Sequence, residues 1–409
     1  MKGTFGRENF AIGPGNWQTD LFRSIFPESG SSRNILVDLM NSIQRVVIRV
    51  DASVEMGMGH LTRCISLANA LAEDGTRTLF LMRSHAAALS GLIESNGHVV
   101  QLLPDPARAH HDNRAAGSGH AHWLPVTWQR DAEETREAMR QAGAADWLVV
   151  DHYALDAQWE QMQRREGLRI LAIDDLADRA HDCDILLDQN LVPDMEDRYR
   201  DRVQVSCEQL LGPRYALLRP EFAEQRRSLA ARSGAVRRIV VCYGGSDPSN
   251  ETAKTLAAIG CLASDSLSVD VVIGASNPHV EQVSRLCLEL PRTRLHRSAN
   301  NMAELIGGAD LAIGAGGVMS WERCCLGVPT VAVDIAANQV GALTALARAG
   351  ALLYLGSAAS VSKEQMAASI GALLCDPART RAMGEIALAL VDGEGCGRVR
   401  ASMRSVVAR

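Results

Sequence analysis

Short apolar runs alternate with stretches of helical spacing along most of this chain. The runs that predict β-strands lie at 46–50, 78–81, 147–150, 169–173 and 185–187, and again at 238–242, 268–273, 293–296, 311–313 and 330–333. Between them, apolar residues recur every three or four positions, as at 61–72, which predicts helices. Strands and helices that alternate in this way form parallel sheets covered by helices on both faces.

The pattern is interrupted once, by a polar and charged stretch, and then restarts. We therefore predict an α/β fold of two doubly wound, Rossmann-like domains facing a cleft, at 45–219 and 237–385, with 220–236 as linker. Residues 386–409 are predicted to form a C-terminal helix that crosses back to the first domain. Residues 1–44 are rich in Gly, Pro, Ser and Asn without a sustained period, which predicts a disordered N-terminal extension.

The composition is that of a soluble globular protein, with 47% apolar and 22% charged residues in a chain of 409. The formal net charge of −6 provides no basic field for a nucleic-acid backbone, so we expect no nucleic-acid partner. No apolar run is long enough to span a membrane and no signal peptide is evident, which predicts a cytoplasmic protein without a membrane partner.

Two further classes are disfavoured by residue usage. The chain has only three lysines and lacks the G-x-x-x-x-G-K-[ST] phosphate loop, which argues against a Walker-type nucleoside triphosphatase. Its ten cysteines include no C-x-x-C pair, so neither a zinc knuckle nor a redox pair is indicated. We expect reduced thiols that pack as small apolar side chains.

The loop after the first strand is the first candidate for chemistry. Gly57 and Gly59 allow a tight turn and the close approach of a ligand, and a helix begins at or just after His60. The N–H groups at a helix N-terminus suit an anion, and an imidazole at the mouth of a cleft can act as a general base. The alternative is a histidine that merely hydrogen-bonds the backbone of the helix start.

Three loops of the second half have the same strand–turn–helix setting. Gly244, Gly245 and Ser246 begin the first, and 313–325 carry a Gly-rich turn followed by Glu322 in the next helix. Asn338 and Gln339 follow a third strand. Together these loops predict a nucleotide-diphosphate site at one sheet edge. Taken singly, Ser and Asn could be helix caps, and Glu322 could complement the helix dipole.

Other polar residues are weaker candidates. A polar loop at 104–125 carries His110, His111, His120 and His122, but such spacing is more typical of solvated side chains than of a metal site. Asp151 and His152 end one strand, and Asp174 and Asp175 end another, where substrate contact is plausible. Adjacent side chains of a strand point to opposite faces, so Asp151 and His152 are a poor catalytic pair.

Seven segments in order resemble the UDP-2,4-diacetamido-2,4,6-trideoxy-β-L-altropyranose hydrolases of pseudaminic acid biosynthesis, which are related to the MurG-like glycosyltransferases of GT-B fold. They are GMGHLTRC at 57–64, WLVVDHY at 147–153, IDDLADR at 173–179, LGPRYALLR at 211–219, GGSDP at 244–248, GASNPH at 274–279 and SWERC at 320–324. The resemblance runs from about residue 45 to the C-terminus. It departs from the family at Val318 and Met319, where small polar residues are expected.

The resemblance implies a hydrolase that removes UDP from a UDP-linked diacetamido-trideoxy hexose, with His60 as the base that activates water for inverting attack at C1. No metal or cofactor is expected, because Gly-rich loops and helix N-termini can stabilise the leaving diphosphate. The expected sugar-side residues are Gly57, Gly59, Arg63, Asp151 and Asp174. The expected nucleotide-side residues are Gly244, Gly245, Ser246, Gly316, Gly317, Ser320, Glu322, Asn338 and Gln339.

Two other functions remain open at the level of sequence. A GT-B glycosyltransferase would pass the sugar of a UDP-sugar donor to an acceptor instead of water. A non-catalytic protein could bind a UDP-sugar on the same scaffold. Release of UDP in the absence of an acceptor separates the hydrolase from both.

Overall fold

The computed structural model describes residues 43–53, 56–104, 120–262 and 266–407. Nearly all of the predicted N-terminal extension, together with His110 and His111, therefore lies outside the described residues. Each strand predicted from the apolar runs coincides with a strand of the structure. The predicted fold class is confirmed, because the strands form two parallel sheets, each flanked by helices.

The first domain is built on seven parallel strands. They are β1 Arg45–Val50, β2 Arg77–Arg83, β3 Val99–Leu103, β4 Trp147–Asp151, β5 Arg169–Ile173, β6 Ile185–Asp188 and β7 Glu208–Leu211. Its helices are α1 Gly59–Ala72, α2 Ser90–Ser95, α3 Trp128–Ala142 and α4 Ala157–Gln163. The strand order is β3-β2-β1-β4-β5-β6-β7.

Strand β1, in the interior of this sheet, is buried on both faces. Val46 and Ile48 pack into one apolar cluster with α1, whereas Val47 packs into a second cluster with α3 and α4. Successive side chains of a strand point to opposite sides, so an uninterrupted apolar run satisfies both layers at once. This double burial explains why β1 contains no polar alternation over 46–48.

The second domain follows the linker helix α5 Pro220–Arg227 and has six parallel strands in the order β10-β9-β8-β11-β12-β13. The strands are β8 Arg238–Cys242, β9 Ser268–Ile273, β10 Thr293–Arg297, β11 Leu311–Ala315, β12 Thr330–Asp334 and β13 Leu352–Ser357. The helices are α6 Glu251–Gly260, α7 Val280–Glu289, α8 Met302–Gly307, α9 Val318–Cys325, α10 Val340–Ala349, α11 Lys363–Leu374 and α12 Pro377–Leu390.

The last helix, α13 Gly395–Val407, returns to the first domain. Val399 and Met403 are buried in the same apolar cluster as α1, and Arg400 donates a hydrogen bond to the carbonyl of Ala70 over 2.6 Å. The predicted C-terminal helix was placed at 386–409, but α12 continues to Leu390 and α13 begins only at Gly395. The segment between them contains a glycine with positive φ, Gly393, which separates the two helices.

Both sheets reverse their strand order at one point. In the first sheet the connections after β1 and β4 leave in opposite directions, and in the second the same holds for β8 and β11. Such switch points open a crevice at the carboxyl ends of the strands, where α/β folds bind ligands. The loops singled out by sequence, after β1, β4, β8 and β11, are therefore the loops that border the two crevices.

Candidate active site

The turn between β1 and α1 presents a histidine at the first crevice. Gly57 has a φ of +74°, and its N–H donates to the carbonyl of Ser53 over 2.8 Å. This closes the turn and starts α1 at Gly59, so that His60 lies in the first turn of the helix. The His60 side chain is 6% exposed, so the surrounding residues enclose most of it.

Asp151, at the end of β4, holds this imidazole. Its Oδ1 lies 2.6 Å from Nδ1 of His60, and its two oxygens accept hydrogen bonds of 2.7 Å from the Arg63 guanidinium. Burial would raise the pKa of Asp151, but the positive charge of Arg63 outweighs it and holds the pKa below its ordinary value. An ionised Asp151 fixes the proton on Nδ1 and directs Nε2 away from itself, and no described residue hydrogen-bonds Nε2.

The sequence did not pair His60 with Asp151, although both were candidates. The two residues lie 91 positions apart in sequence. They meet because β1 and β4 pair in the sheet, which brings the ends of these two strands together. Asp151 and His152 point in different directions as expected, since Nε2 of His152 lies 3.4 Å from Asp51 instead. Asp151 and Arg63, both expected to touch substrate, are occupied with each other and with His60.

A second carboxylate, Asp175, supports Arg63 from the other side. Arg63 donates to Asp175 over 2.9 Å, and the hydroxyl of Tyr153 donates to the other oxygen of the same carboxylate. Burial and the nearby Asp175 raise the pKa of Tyr153 well above its ordinary value, so this hydroxyl keeps its proton. Asp175 was a candidate for substrate contact, whereas Tyr153 was missed as a site residue, although both belong to the segments that carry the family resemblance.

Aromatic rings pack against the His60 imidazole. The Tyr153 ring lies edge-on at 4.6 Å between centroids, and Trp123 stacks on Tyr153 at 5.3 Å. His120 packs against both of these rings, and burial lowers the pKa of its imidazole. These contacts place the described end of the His-rich loop beside His60, and they give His120 a packing role that the metal hypothesis did not consider.

Asp174 occupies a different environment from the one expected of a substrate ligand. It is fully buried, pairs with Arg179 at 2.8 Å, and accepts hydrogen bonds from the N–H of Ala177 and the hydroxyl of Tyr199. Although burial opposes it, Arg179 keeps the pKa of Asp174 well below its ordinary value. Its neighbour Asp175 is the residue that joins the His60 network.

The loop after β8 caps its own helix. The carboxylate of Asp247 accepts hydrogen bonds of 2.9 Å from the N–H groups of Glu251 and Thr252, and the Asn250 side chain accepts one from Ala253. These groups therefore occupy the N–H donors that we expected a diphosphate to use at α6. Gly244, with a φ of +95°, Gly245 and Ser246 line the turn before this cap.

The loop after β11 leaves its helix start open to a ligand. Gly317 precedes α9 with a φ of +84°, and within the described residues no side chain caps the first turn of this helix. A Cβ on Gly316 would lie 2.9 Å from Cβ of Gln339, so this glycine lets the loop after β12 pack closely. The exposed donors and the helix dipole make α9 the better anion site of the two.

Deeper in α9, the polar side chains are buried. Ser320 lies 3.3 Å from the Arg323 guanidinium, and Glu322 pairs at 3.3 Å with Arg219, the residue just before α5. Burial raises the pKa of Glu322, with Arg219 acting against it. Gln339 is used within its own loop, where its side-chain oxygen accepts a hydrogen bond from the N–H of Ile335 over 3.1 Å.

The two sets of loops meet across the cleft. Cγ2 of Val318, at the start of α9, lies 3.5 Å from the position that a Cβ on Gly59 would take, and Cγ of Met58 lies 4.0 Å from that of Gly245. The Asn338 amide reaches the hydroxyl of Tyr153 over 3.4 Å. The His60 turn and the candidate nucleotide loops therefore border one site, contributed by both domains.

The described part of the chain has neither a group of side chains that could hold a metal ion nor a helix that could cross a membrane. Its His, Cys, Asp and Glu side chains form no group of three or more arranged to hold a metal ion. Among its helices, none combines the length and the apolar character that crossing a bilayer requires.

Solved structures with this architecture decide the fold. MurG of Acinetobacter baumannii matches with a TM-score of 0.61 at 14% identity, over 88% of this chain and 99% of that one. A spinosyn rhamnosyltransferase, SpnG, solved with thymidine diphosphate, matches with a TM-score of 0.53 at 19% identity, over 88% and 100%. The chain has the GT-B fold. In this GT-B fold, His60 belongs to the first domain and the α9 loop to the second.

Sequence relatives of this GT-B chain come from bacteria and an archaeon. The spore coat polysaccharide biosynthesis protein SpsG of Bacillus subtilis is 30% identical over 210 residues, which cover 51% of this chain and 62% of SpsG. A protein of Methanocaldococcus jannaschii, named only as uncharacterized, is 24% identical over 294 residues, or 70% and 55%. The chain thus spans less than two thirds of either relative's length.

A third relative is matched over nearly its full length. The UDP-2,4-diacetamido-2,4,6-trideoxy-β-L-altropyranose hydrolase of Campylobacter jejuni is 23% identical over 309 residues, covering 75% of this chain and 97% of that protein. No protein-family model matches the chain.

Proposed function

We propose that this chain processes nucleotide sugars, and specifically that it hydrolyses a UDP-linked 2,4-diacetamido-2,4,6-trideoxy hexose to UDP and the free sugar. The observation that carries the proposal is the Asp151–His60 pair, which follows a turn that faces the α9 loop: a Cβ on Gly59 would lie 3.5 Å from Cγ2 of Val318. The names of two relatives, one for polysaccharide biosynthesis and one for this hydrolysis, support the substrate class. The reaction would belong to pseudaminic acid biosynthesis.

His60 acts as the base in this reaction. Asp151 accepts a hydrogen bond from the protonated Nδ1. Nε2 therefore carries the lone pair that removes a proton from water. The water oxygen forms a bond to C1 of the sugar, and the bond from C1 to the diphosphate oxygen breaks with its electrons on UDP. The ionised Asp151 then stabilises the imidazolium that results. Attack opposite the leaving group inverts C1.

The second domain stabilises the departing UDP. The uncapped N–H groups at the start of α9, next to Gly316 and Gly317, suit the diphosphate, whose charge grows as the bond breaks. Val318 and Met319 offer no polar side chain there, so these contacts are made by the backbone. We assign the buried Glu322 carboxyl, which pairs with Arg219, to the ribose hydroxyls.

A glycosyltransferase is the second candidate, because the matching solved structures include glycosyltransferases. The same base would then deprotonate a hydroxyl of an acceptor. We favour hydrolysis because the relative matched over 97% of its length is named a hydrolase. Incubation of the protein with UDP-linked diacetamido sugars and no acceptor separates the two, since only a hydrolase releases stoichiometric UDP and free sugar.

Replacing His60 with Asn tests the base directly. We expect the variant to fold and bind UDP, and its kcat to fall by about 10²–10⁴-fold, the contribution of a positioned general base. Asp151→Asn should also lower kcat, because the amide no longer fixes the Nδ1 proton. Product formation is followed by NMR, with UDP affinity measured by calorimetry.

His85→Gln is the matched control, since His85 is an exposed histidine of the same domain. It should hydrolyse the sugar at the wild-type rate. A near-normal kcat for His60→Asn would exclude His60 as the base. Reaction in ¹⁸O-water should place the label on the sugar, and label in UDP would instead indicate attack at phosphorus.

A further inference from the structure

A continuous series of polar contacts runs from the second domain to His60. It begins at Asn338, whose amide nitrogen lies 3.4 Å from the hydroxyl of Tyr153. The Tyr153 hydroxyl in turn donates a hydrogen bond to Asp175. Each contact joins a different loop, after β12, β4 and β5 respectively, so the series crosses the cleft and then follows the first crevice.

The series continues through Arg63 to the catalytic pair. Arg63 binds Asp175 over 2.9 Å and Asp151 over 2.7 Å, and Asp151 binds Nδ1 of His60 over 2.6 Å. Arg63, Asp151 and Tyr153 are all buried. In an interior of low dielectric constant each hydrogen bond polarises the next. A change in the hydrogen bond at Asn338 can therefore alter the hydrogen bond at His60.

Asn338 is the one member of this series that the second domain supplies. It lies in an exposed loop, between β12 and α10, that also borders the open start of α9 through Gln339 and Gly316. Its 3.4 Å contact is longer than the usual 2.9–3.0 Å of an N–H···O hydrogen bond, whereas the contacts inside the first domain are short. The contact that depends on the apposition of the two domains is thus the loosest one in the series.

We propose that Asn338 is a positioning residue, which through Tyr153, Asp175 and Arg63 couples occupancy of the nucleotide loops to the orientation of His60. The inference rests on the proposed function. It assigns Asn338 a role different from the nucleotide contact expected from sequence. Binding of a nucleoside diphosphate at α9 draws the loop after β12 onto Tyr153, and the shortened hydrogen bond fixes the Asp151–His60 geometry for proton transfer.

Kinetics of Asn338→Ala, Tyr153→Phe and the double variant test the coupling. We expect each single variant to lower kcat about tenfold while the Kd for UDP stays within twofold of wild type. The double variant should be no slower than either single one, because both remove the same contact. Asn338→Gln, which keeps the amide, should recover part of the loss, and Asn96→Ala, at an exposed asparagine of the first domain, should match wild type.

Weaker UDP binding by Asn338→Ala with unchanged kcat would overturn the proposal and make Asn338 a nucleotide ligand. Additive losses in the double variant would also overturn it, because independent roles add.

NMR of ¹⁵N-histidine-labelled protein separates this proposal from the proposed function, since it requires UDP binding but no turnover. The imidazole signals of His60, assigned with His60→Asn, should move on addition of UDP in wild type and remain still in Asn338→Ala. If wild type shows this response but hydrolyses no UDP-sugar, the hydrolase function fails and the coupling stands. If hydrolysis occurs but His60 in Asn338→Ala responds as in wild type, the coupling fails, and if wild type binds no UDP, both fail.

Discussion

Charged side chains lie in the interior of the first domain, at positions that apolar residues usually occupy. Arg49, Arg83 and Asp131 are fully buried; both arginines donate hydrogen bonds to the Asp131 carboxylate, and Asp51 accepts a further one from Arg49. Removing one partner of such a buried pair costs about 3–5 kcal/mol, because the other charge is left uncompensated.

His181 is a further buried charge, and it makes the stability of the domain depend on pH. Burial would lower its pKa, but Glu160, 2.8 Å from Nδ1, and Asp174 outweigh this and raise the pKa to about 9. Since this exceeds the value of about 6.5 in an unfolded chain, the stabilisation is complete below that pH and is lost as the pH rises through about 9. We expect wild type to lose more of its unfolding free energy between pH 7 and 9.5 than His181→Gln.

Denaturant unfolding at both pH values measures this difference. His85→Gln, at an exposed position, should follow wild type across the window. Equal losses in wild type and His181→Gln would show that the imidazolium contributes no such pH-dependent stability.

At the scale of single residues, sequence could identify which side chains are candidates but not their partners. His60 follows from its Gly-rich turn, because the turn and the helix start are local features. Its pairing with Asp151 is not local, and it depends on β4 lying beside β1. The same holds for Asp174 and Asp175, since only the packing of Arg179 and Arg63 decides which of the two faces the site.

Among the elements, the strands missed by the sequence pattern are β3, β7 and β13. All three lie at the edge of a sheet, and most of their side chains are partly exposed. An edge strand packs against few neighbours, so it needs no strong apolar run, and its sequence looks like that of a loop. The interior strands are buried on both faces, which makes their apolar runs recognisable; β10 is an edge strand that was nevertheless predicted.

One glycine sets the spacing of two central strands. A Cβ on Gly314 of β11 would overlap the carbonyl oxygen of Cys242 in β8 and lie 2.9 Å from the Arg323 guanidinium. We expect Gly314→Ala to destabilise the second domain by at least 1–3 kcal/mol, the usual cost of overpacking. Denaturant unfolding followed by circular dichroism measures the change.

Gly341→Ala provides the matched control, because that helical glycine has nothing within 4 Å of its Cβ position. Alanine favours a helix by about 0.5–1 kcal/mol over glycine, so this variant should be as stable as wild type or more so. A Gly314→Ala protein of wild-type stability would mean that the two strands can separate at no cost.

For the whole molecule, α13 links the stability of the first domain to the C-terminal segment of the chain. The chain leaves the second domain after α12 and ends in the core of the first, where Cys396, Val399 and Met403 lie in the same cluster as β1 and α1. The first domain therefore has no complete core until the C-terminus has been added. A long helical stretch in the sequence is the basis for predicting a return, whereas the start of α13 depends on a short break around Gly393 that the pattern does not mark.

Met403→Ala tests this shared core. Met403 is fully buried, and its truncation should cost about 2–5 kcal/mol of unfolding free energy, measured by denaturant titration. Arg404→Ala removes a neighbouring side chain that is 44% exposed and pairs with Asp74, a contact worth at most about 1 kcal/mol. If α13 merely covered the first domain, the two variants would lose similar, small amounts. A large loss confined to Met403→Ala instead requires that residues separated by more than 300 positions form one core, and that the first domain folds fully only with the end of the chain in place.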